Sequence, residues 1–330
     1  MRRIVVHTVL VTGAEGFAGT HLINFLRQRG VDVVAGVRNR GRKLALERRV
    51  GKALVCDVSD AINVARVVAG VKPDGVIHLA GCSRPFSAAC EPLEAYQTIV
   101  TGWANVLDAV RRSVPRARVL LVSACDVYGN AGSDGRPINE QTTPNPNSAF
   151  GSLKLNAEAI AHTFYNNFHL DVTIARPFHH TGLGQADSFY FSAVARRIAR
   201  WNPAENGNEL KLPDLGFSRD LLHVQDVAEA YAALLQSGKP NEIYNVCSGA
   251  ARTCRDWING MIQTGGQPIT LTDLTTADED QHAIQSLCGD NTKITQETGW
   301  KPTRRPEDAL NDLLRSFQTQ SFSKLEPLHI

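Results

Sequence analysis

The stretch Val9–Leu26, VLVTGAEGFAGTHLINFL, decides how this chain folds. An apolar, β-branched run ends at Gly13. Gly16 and Gly19 follow at three-residue spacing, and an amphipathic helical pattern begins among them. The first glycine allows a tight turn, the second lets backbone approach a pyrophosphate, and the third lets helix and strand pack closely. Phosphates then lie against free N–H groups at the positive end of a helix. A bare GxxGxxG is common. After an apolar strand, at the head of an alternating pattern, it marks a dinucleotide site.

That alternation continues outward. VDVVAGV (31–37), KALVCDV (52–58), DGVIHLAG (74–81), RVLLVSA (118–124) and DVTIARP (171–177) read as strands, with helical stretches between them. A longer helix is expected over about Leu93 to Val114. Strands apolar on both faces and alternating with helices imply an α/β fold, a Rossmann-type doubly wound parallel sheet. Past Pro177 the rhythm breaks: residues 178–219 read as loop with one helix, about Phe191 to Trp201. The expected division is a dinucleotide-binding domain from 1–177 plus about 220–248. A smaller C-terminal substrate-binding cap takes 178–219 and 249–330.

Bulk properties set the outer limits. The 330 residues are 43% hydrophobic and 21% charged, with net charge +2, an ordinary globular composition that demands no polyanionic partner. The basic run from Arg38 to Arg49 comes with no nucleic-acid reading motif and reads as a solvated loop and helix start. Cysteines 56, 82, 90, 125, 247, 254 and 288 are odd in number and lack CxxC spacing, which fits reduced thiols in a cytoplasm. One adjacent histidine pair, His179-His180, and no HExxH argue against a metal site. The opening MRRIVVHTVLVTG reads as a first strand rather than a signal peptide, and no run reaches the roughly 18 apolar residues of a membrane span.

The end of the second strand bears on which dinucleotide binds. NAD sites usually carry an acidic residue there. Here the sequence is Gly36-Val37-Arg38-Asn39-Arg40, and Asp32 lies at the wrong end of the strand. Arg38 favours a 2′-phosphate, hence NADP, with NAD the alternative.

With TGAEGFAGTHL, CDVSD, VIHLAG, DVYG and RDLLHVQDVAEAY, the chain resembles the extended short-chain dehydrogenase/reductases nearly end to end. These are the nucleotide-sugar epimerases, dehydratases and reductases. RPFHHTGLGQ is similar to the GDP-4-keto-6-deoxy-mannose reductase and GDP-mannose 4,6-dehydratase branch. The resemblance implies a nucleotide-sugar substrate, a soluble protein and a homodimer through the 93–114 helix and the Lys154 helix. It implies that Gly13, Gly16, Phe17 and Gly19 line the pyrophosphate and that Asp57 and Val58 reach the adenine. Leu79, Ala80, Gly81 and Pro177 would flank the rest of the cofactor, and Lys154 would hold the nicotinamide-ribose hydroxyls. Arg219 would grip the substrate diphosphate, as suits its planar fork, beside His179 and His180. His179 stands where the family usually has asparagine.

The departures concern catalysis. The family uses a tyrosine hydroxyl four residues before the lysine, and NSAFGSLKLNAE (147–158) places Phe150 there. The Ser/Thr position falls on Ala124, and the asparagine of the long helix falls on Ile99. None of the six tyrosines lies at helical spacing before Lys154. A positioned acid–base group contributes ~10²–10⁴-fold in rate, so ordinary hydride transfer should be nearly silenced. In dehydratases of the group an acidic or polar pair occupies Cys125 and Asp126, which become the substitute acid–base candidates. Two readings follow: a nucleotide-sugar reductase or dehydratase of altered chemistry, or a catalytically impaired binding protein. An introduced Phe150 would leave Ala124 and Ile99 unexplained.

Overall fold

The first strand, β1 (Thr8–Thr12), leads through the glycine turn into α1 (Phe17–Gln28) and returns as β2 (Asp32–Val37). α2 (Arg40–Val50), β3 (Ala53–Val55), α3 (Ala61–Val71) and β4 (Gly75–His78) follow. The structure, a computed structural model, describes residues 6–82, 89, 91–275 and 286–319; Cys90 lies outside them. After β4 the long helical stretch comprises α4 (Pro92–Tyr96), a π-helical turn (Gln97–Thr101) and α5 (Gly102–Ser113). β5 (Arg118–Val122), α6 (Ala149–Phe168) and β6 (Val172–Pro177) continue the alternation.

Seven parallel strands form the main sheet in the order β10-β6-β5-β4-β1-β2-β3, with β10 spanning Ile243–Val246. Strand order reverses between β1 and β4, and a crevice opens there at the C-terminal edge. The residues of each strand alternate between two cores. Leu10, Val34, Val76, Leu121 and Ile174 face one, whereas Val9, Val33, Ile77, Leu120 and Ala175 face the other. Both faces are therefore covered, the doubly wound Rossmann-type arrangement expected from the apolar runs.

The cap differs from expectation in its strands. Besides α7 (Tyr190–Ala199), the 178–219 stretch contains β7 (His179–Thr181) and β8 (Glu209–Leu212). β7 pairs with β9 (Ser218–His223), and β8 pairs with β12 (Thr270–Asp273). Strands of three and four residues depend on distant partners and are too short for a period to stand out, even where β8 alternates as Glu-Leu-Lys-Leu. β9 lies in a second sheet, between β11 (Ala251–Thr253) and β13 (Ser286–Leu287), although its residues fall largely within the 220–248 span assigned to the cofactor half. A third core joins α7 to α10 (Cys254–Gly265) and α12 (Pro306–Thr319).

A buried ion pair fastens α6 to the sheet. Arg176 of β6 donates to Glu158 at 3.0 and 2.6 Å, and both are almost fully buried. The Ser123 hydroxyl donates to the same carboxylate. The guanidinium also lies 4.7 Å over the Tyr128 ring, whose hydroxyl donates to Asn245. Removing one member of such a pair leaves an uncompensated charge. Arg176→Met should therefore lower unfolding free energy by about 3–5 kcal/mol. Urea denaturation measures this, and a loss below about 1 kcal/mol would show that Ser123 alone satisfies the carboxylate.

Candidate active site

Each glycine of the opening motif has a visible steric task. Gly13 has φ +65°, and a Cβ there would lie 2.6 Å from Ala80 N, across the crevice from the end of β4. At Gly19 a Cβ would lie 2.7 Å from Gly13 O, so the helix could not sit this close to the turn. Gly16 is the residue before α1, and neither a side-chain cap nor a first-turn acid occupies that helix end. The open N–H groups and the space above Gly13 fit a diphosphate.

The residues expected to hold a dinucleotide line up along the same edge. Leu79 N donates to Thr12 O at 3.2 Å, which holds Leu79, Ala80 and Gly81 beside the turn. Asp57 accepts from the Ser59 N–H and hydroxyl, and Val58 is buried with its carbonyl accepting from Asn105 at 2.8 Å. Pro177 ends β6 in register with Val246. Arg38 is exposed and paired with Glu94 at 2.7 Å. Glu15, within the glycine turn, reaches Arg42 at 3.4 Å, an acidic contact that the motif reading overlooked. Phe17 stacks on His180 with centroids 6.0 Å apart, joining the turn to β7.

Lys154 has an apolar environment. The Ser148 hydroxyl accepts from Gly151 N at 3.0 Å and starts α6, which puts Phe150, Lys154 and Glu158 on one stripe. Lys154 Nζ donates to Val122 O at 2.7 Å and lies 5.7 Å from the ring centroids of both Phe150 and Trp103. A Cβ on Gly81 would stand 3.8 Å from Nζ, which places the ammonium beside the segment that follows β4. Ile99, in the π-helical turn, and Ala124 are buried in the same core as Trp103 and Phe150. Burial lowers the Lys154 pKa to about 8, against the pull of Glu158 and Asp126. Next to it, burial and the Lys154 charge push His78 down to about 3.

Neighbouring hydroxyls do not replace the missing ones. Ser123 is buried against Glu158, and Ser148 is spent on the helix cap. Tyr128 bonds to Asn245 at 2.8 Å.

Beyond the lysine lies a cavity of about 230 Å³ lined by Cys125, Asp126, His179, Arg219 and Leu287. Cys125 and Asp126 sit in a short 3₁₀ turn, Cys125–Tyr128, directly after β5. Burial raises the Asp126 carboxyl above its ordinary range, opposed by Lys154 and Arg219. Burial also drives the Cys125 thiol well up, and the neighbouring Asp126 adds to this. A thiol so disposed makes a poor acid, so Asp126 is the better proton carrier of the two. His179 is exposed as a residue, and desolvation at the cavity together with the Arg219 charge lowers its pKa below the ordinary histidine range. His180 instead turns to the Phe178 carbonyl at 3.0 Å. Leu287 and Trp103 were missed by sequence reasoning. Neither carries a motif, and both reach the site through tertiary packing.

Among the described residues no group of three or more His, Cys, Asp or Glu side chains could hold a metal ion. No described helix is long and apolar enough to cross a membrane.

A family model described as GDP-mannose 4,6 dehydratase matches residues 10–313. GDP-6-deoxy-D-mannose reductase of Pseudomonas aeruginosa is 30% identical over 312 residues, covering 94% of this chain and 97% of that protein. GDP-6-deoxy-D-talose 4-dehydrogenase of Aggregatibacter actinomycetemcomitans is 27% identical over 242 residues, covering 73% and 74%. Among solved structures, RMD from Pseudomonas aeruginosa complexed with NADPH is similar with a TM-score of 0.81 at 29% identity. That match covers 95% of this chain and 98% of the other.

The burial of Lys154 gives a direct expectation. In an NMR titration of ¹³C-labelled lysine, assigned with Lys154→Met, its signal should move with a midpoint near 8, against 10.5 for an unperturbed lysine. Because the folded pKa is the lower one, folding disfavours the charged form below pH 8, and that unfavourable contribution fades as pH rises from 8 to 10.5. A midpoint above 10 would mean that water or a carboxylate solvates the ammonium.

Proposed function

Since the chain belongs to the GDP-mannose 4,6-dehydratase family of extended short-chain dehydrogenase/reductases, we propose that it binds a nicotinamide dinucleotide and modifies a nucleotide-activated hexose with a substitute proton carrier. The carrying observation is the cavity that brings Asp126 together with Arg219 and His179, beyond the glycine turn and Lys154. The substrate class is a GDP- or other NDP-4-keto-6-deoxyhexose, supported by the relatives that act on GDP-6-deoxyhexoses.

Gly13, Gly16, Phe17 and Gly19 would hold the cofactor diphosphate, and Lys154 the nicotinamide-ribose hydroxyls. NADP is the preferred form through Arg38, and the related structure with NADPH supports it. Bound there, the nicotinamide would exchange hydride with the sugar carbon. Arg219 holds the substrate diphosphate, and neutral His179 donates to or accepts from a sugar or phosphate oxygen. Asp126 stands in for the phenol: burial raises its pKa, which favours the protonated form that can donate to the sugar oxygen. Lys154, fixed to Val122 O, keeps a positive field beside that oxygen.

Ile99, Ala124 and Phe150 also support a second reading, a protein that binds its ligands without turning them over. These three replacements make one apolar wall where the family places polar groups. Incubation with GDP- and UDP-sugars plus NAD(P)(H), read by mass spectrometry, separates the two. Turnover supports the enzyme; tight binding without product supports the binding protein.

Where turnover occurs, Asp126→Asn should reduce kcat by ~10²–10⁴-fold. Reduction should slow as pH climbs through the raised Asp126 pKa, because the donating form is lost. Phe150→Tyr with Ala124→Ser should raise the rate, and an unchanged rate would place the proton path elsewhere.

A further inference from the structure

Two arginines face each other across the cap sheet. In the antiparallel β11–β9 pair Arg252 stands directly opposite Arg219. Directly opposite residues share one face of a sheet, with Cα atoms about 4.5–5.5 Å apart. On the other side of β9, Leu287 is in register with Arg219. Leu287, Arg219 and Arg252 thus form a single row across three strands, and its first two members line the cavity.

Like charges placed directly opposite are destabilising, so this row is poorly explained by stability of the sheet. Local contacts fix where each side chain lies, and Arg219 donates to Ser218 O at 3.0 Å. Each guanidinium lies over an aromatic ring, Arg219 over Phe217 at 5.4 Å and Arg252 over Trp257 at 4.8 Å. Arg252 also meets Glu307 at 2.6 Å, but its side chain stays about half exposed at the outer end of the row. The indole of Trp257 donates to the Arg219 backbone carbonyl at 3.3 Å and carries the Arg252 guanidinium on its face, tying the two strands together. Two planar forks on directly opposite residues, each laid over a ring, suit a ligand with two adjacent anionic groups.

We infer that Arg252 is a second diphosphate-holding residue, which closes with Arg219 on the two phosphates of a nucleoside diphosphate. This rests on the substrate class proposed above and adds a residue to it. Arg219 takes the phosphate nearer the cavity, where the sugar lies, and Arg252 takes the phosphate nearer the nucleoside. The exchange of Glu307 for phosphate at Arg252 makes binding salt-dependent while leaving the cap fold in place.

Calorimetric titration of the full chain with GDP and with UDP tests this. Arg252→Gln should weaken binding roughly 10-fold or more, the scale of one charge-assisted hydrogen bond. Arg219→Gln should weaken it at least as much. Arg252→Lys should fall between wild type and Arg252→Gln, since it keeps the charge but not the fork. Glu307→Gln breaks the same ion pair while sparing the arginine, so it controls for structural damage and should leave affinity within about 2-fold or improve it. If Arg219→Gln abolishes binding while Arg252→Gln does not, the inference falls and the functional reading survives. If Glu307→Gln weakens binding as much as Arg252→Gln, the ion pair and not the arginine matters, and the inference falls again. Failure of the wild-type chain to bind either nucleotide would overturn both.

Discussion

The close approach of Gly13 to Ala80 is the contact on which the site depends. β1 and β4 are neighbours in the sheet, but their connections leave on opposite sides, so their C-terminal ends must diverge around a crevice. A side chain on Gly13 would meet the backbone at 2.6 Å and force the strands or the turn apart. With glycine there, the turn lies low, α1 presents its uncapped N–H groups above it, and Gly81 stays within reach of Lys154. The space above the turn thus follows from one missing methyl group.

What surrounds Lys154 is harder to reconcile with ordinary stability. A buried ammonium normally needs a carboxylate or several acceptors. Here a single carbonyl accepts at 2.7 Å, two aromatic rings offer their faces, and Glu158 acts from one turn away while engaged with Arg176. Desolvation wins, which is why the pKa falls. Such a group is costly to keep for packing alone. An apolar residue in its place would fill the volume without the charge penalty, so packing alone does not account for the lysine.

The sheet was legible because its signal is local and strong: strands apolar on both faces, glycines at fixed spacing, helices between. The lysine stripe was legible for the same reason, since Phe150, Lys154 and Glu158 are one turn apart whatever else the chain does. The cap was not. His179–Thr181 becomes a strand only because Leu221–His223 lies beside it, and Glu209–Leu212 only because of Thr270–Asp273. The same holds for Trp103, which reaches Lys154 from a different helix, at 5.7 Å from Nζ to the ring centroid. Glu15 was in plain view within the motif, but its contact with Arg42 is made across the end of β2 and has no sequence period.

The cleft consequently has two unlike walls. On the sheet side, Ile99, Trp103, Ala124 and Phe150 belong to the buried apolar core, with the Trp103 and Phe150 rings beside Lys154. On the cap side, Arg219 and His179 offer donors, and Asp126, at the end of β5, stands between the two walls. Asp126 is the carboxyl that lines the cavity, and burial raises its pKa against the pull of Lys154 and Arg219. The lowered lysine and the raised carboxyl are two aspects of one electrostatic arrangement, since desolvation disfavours the charged form of each.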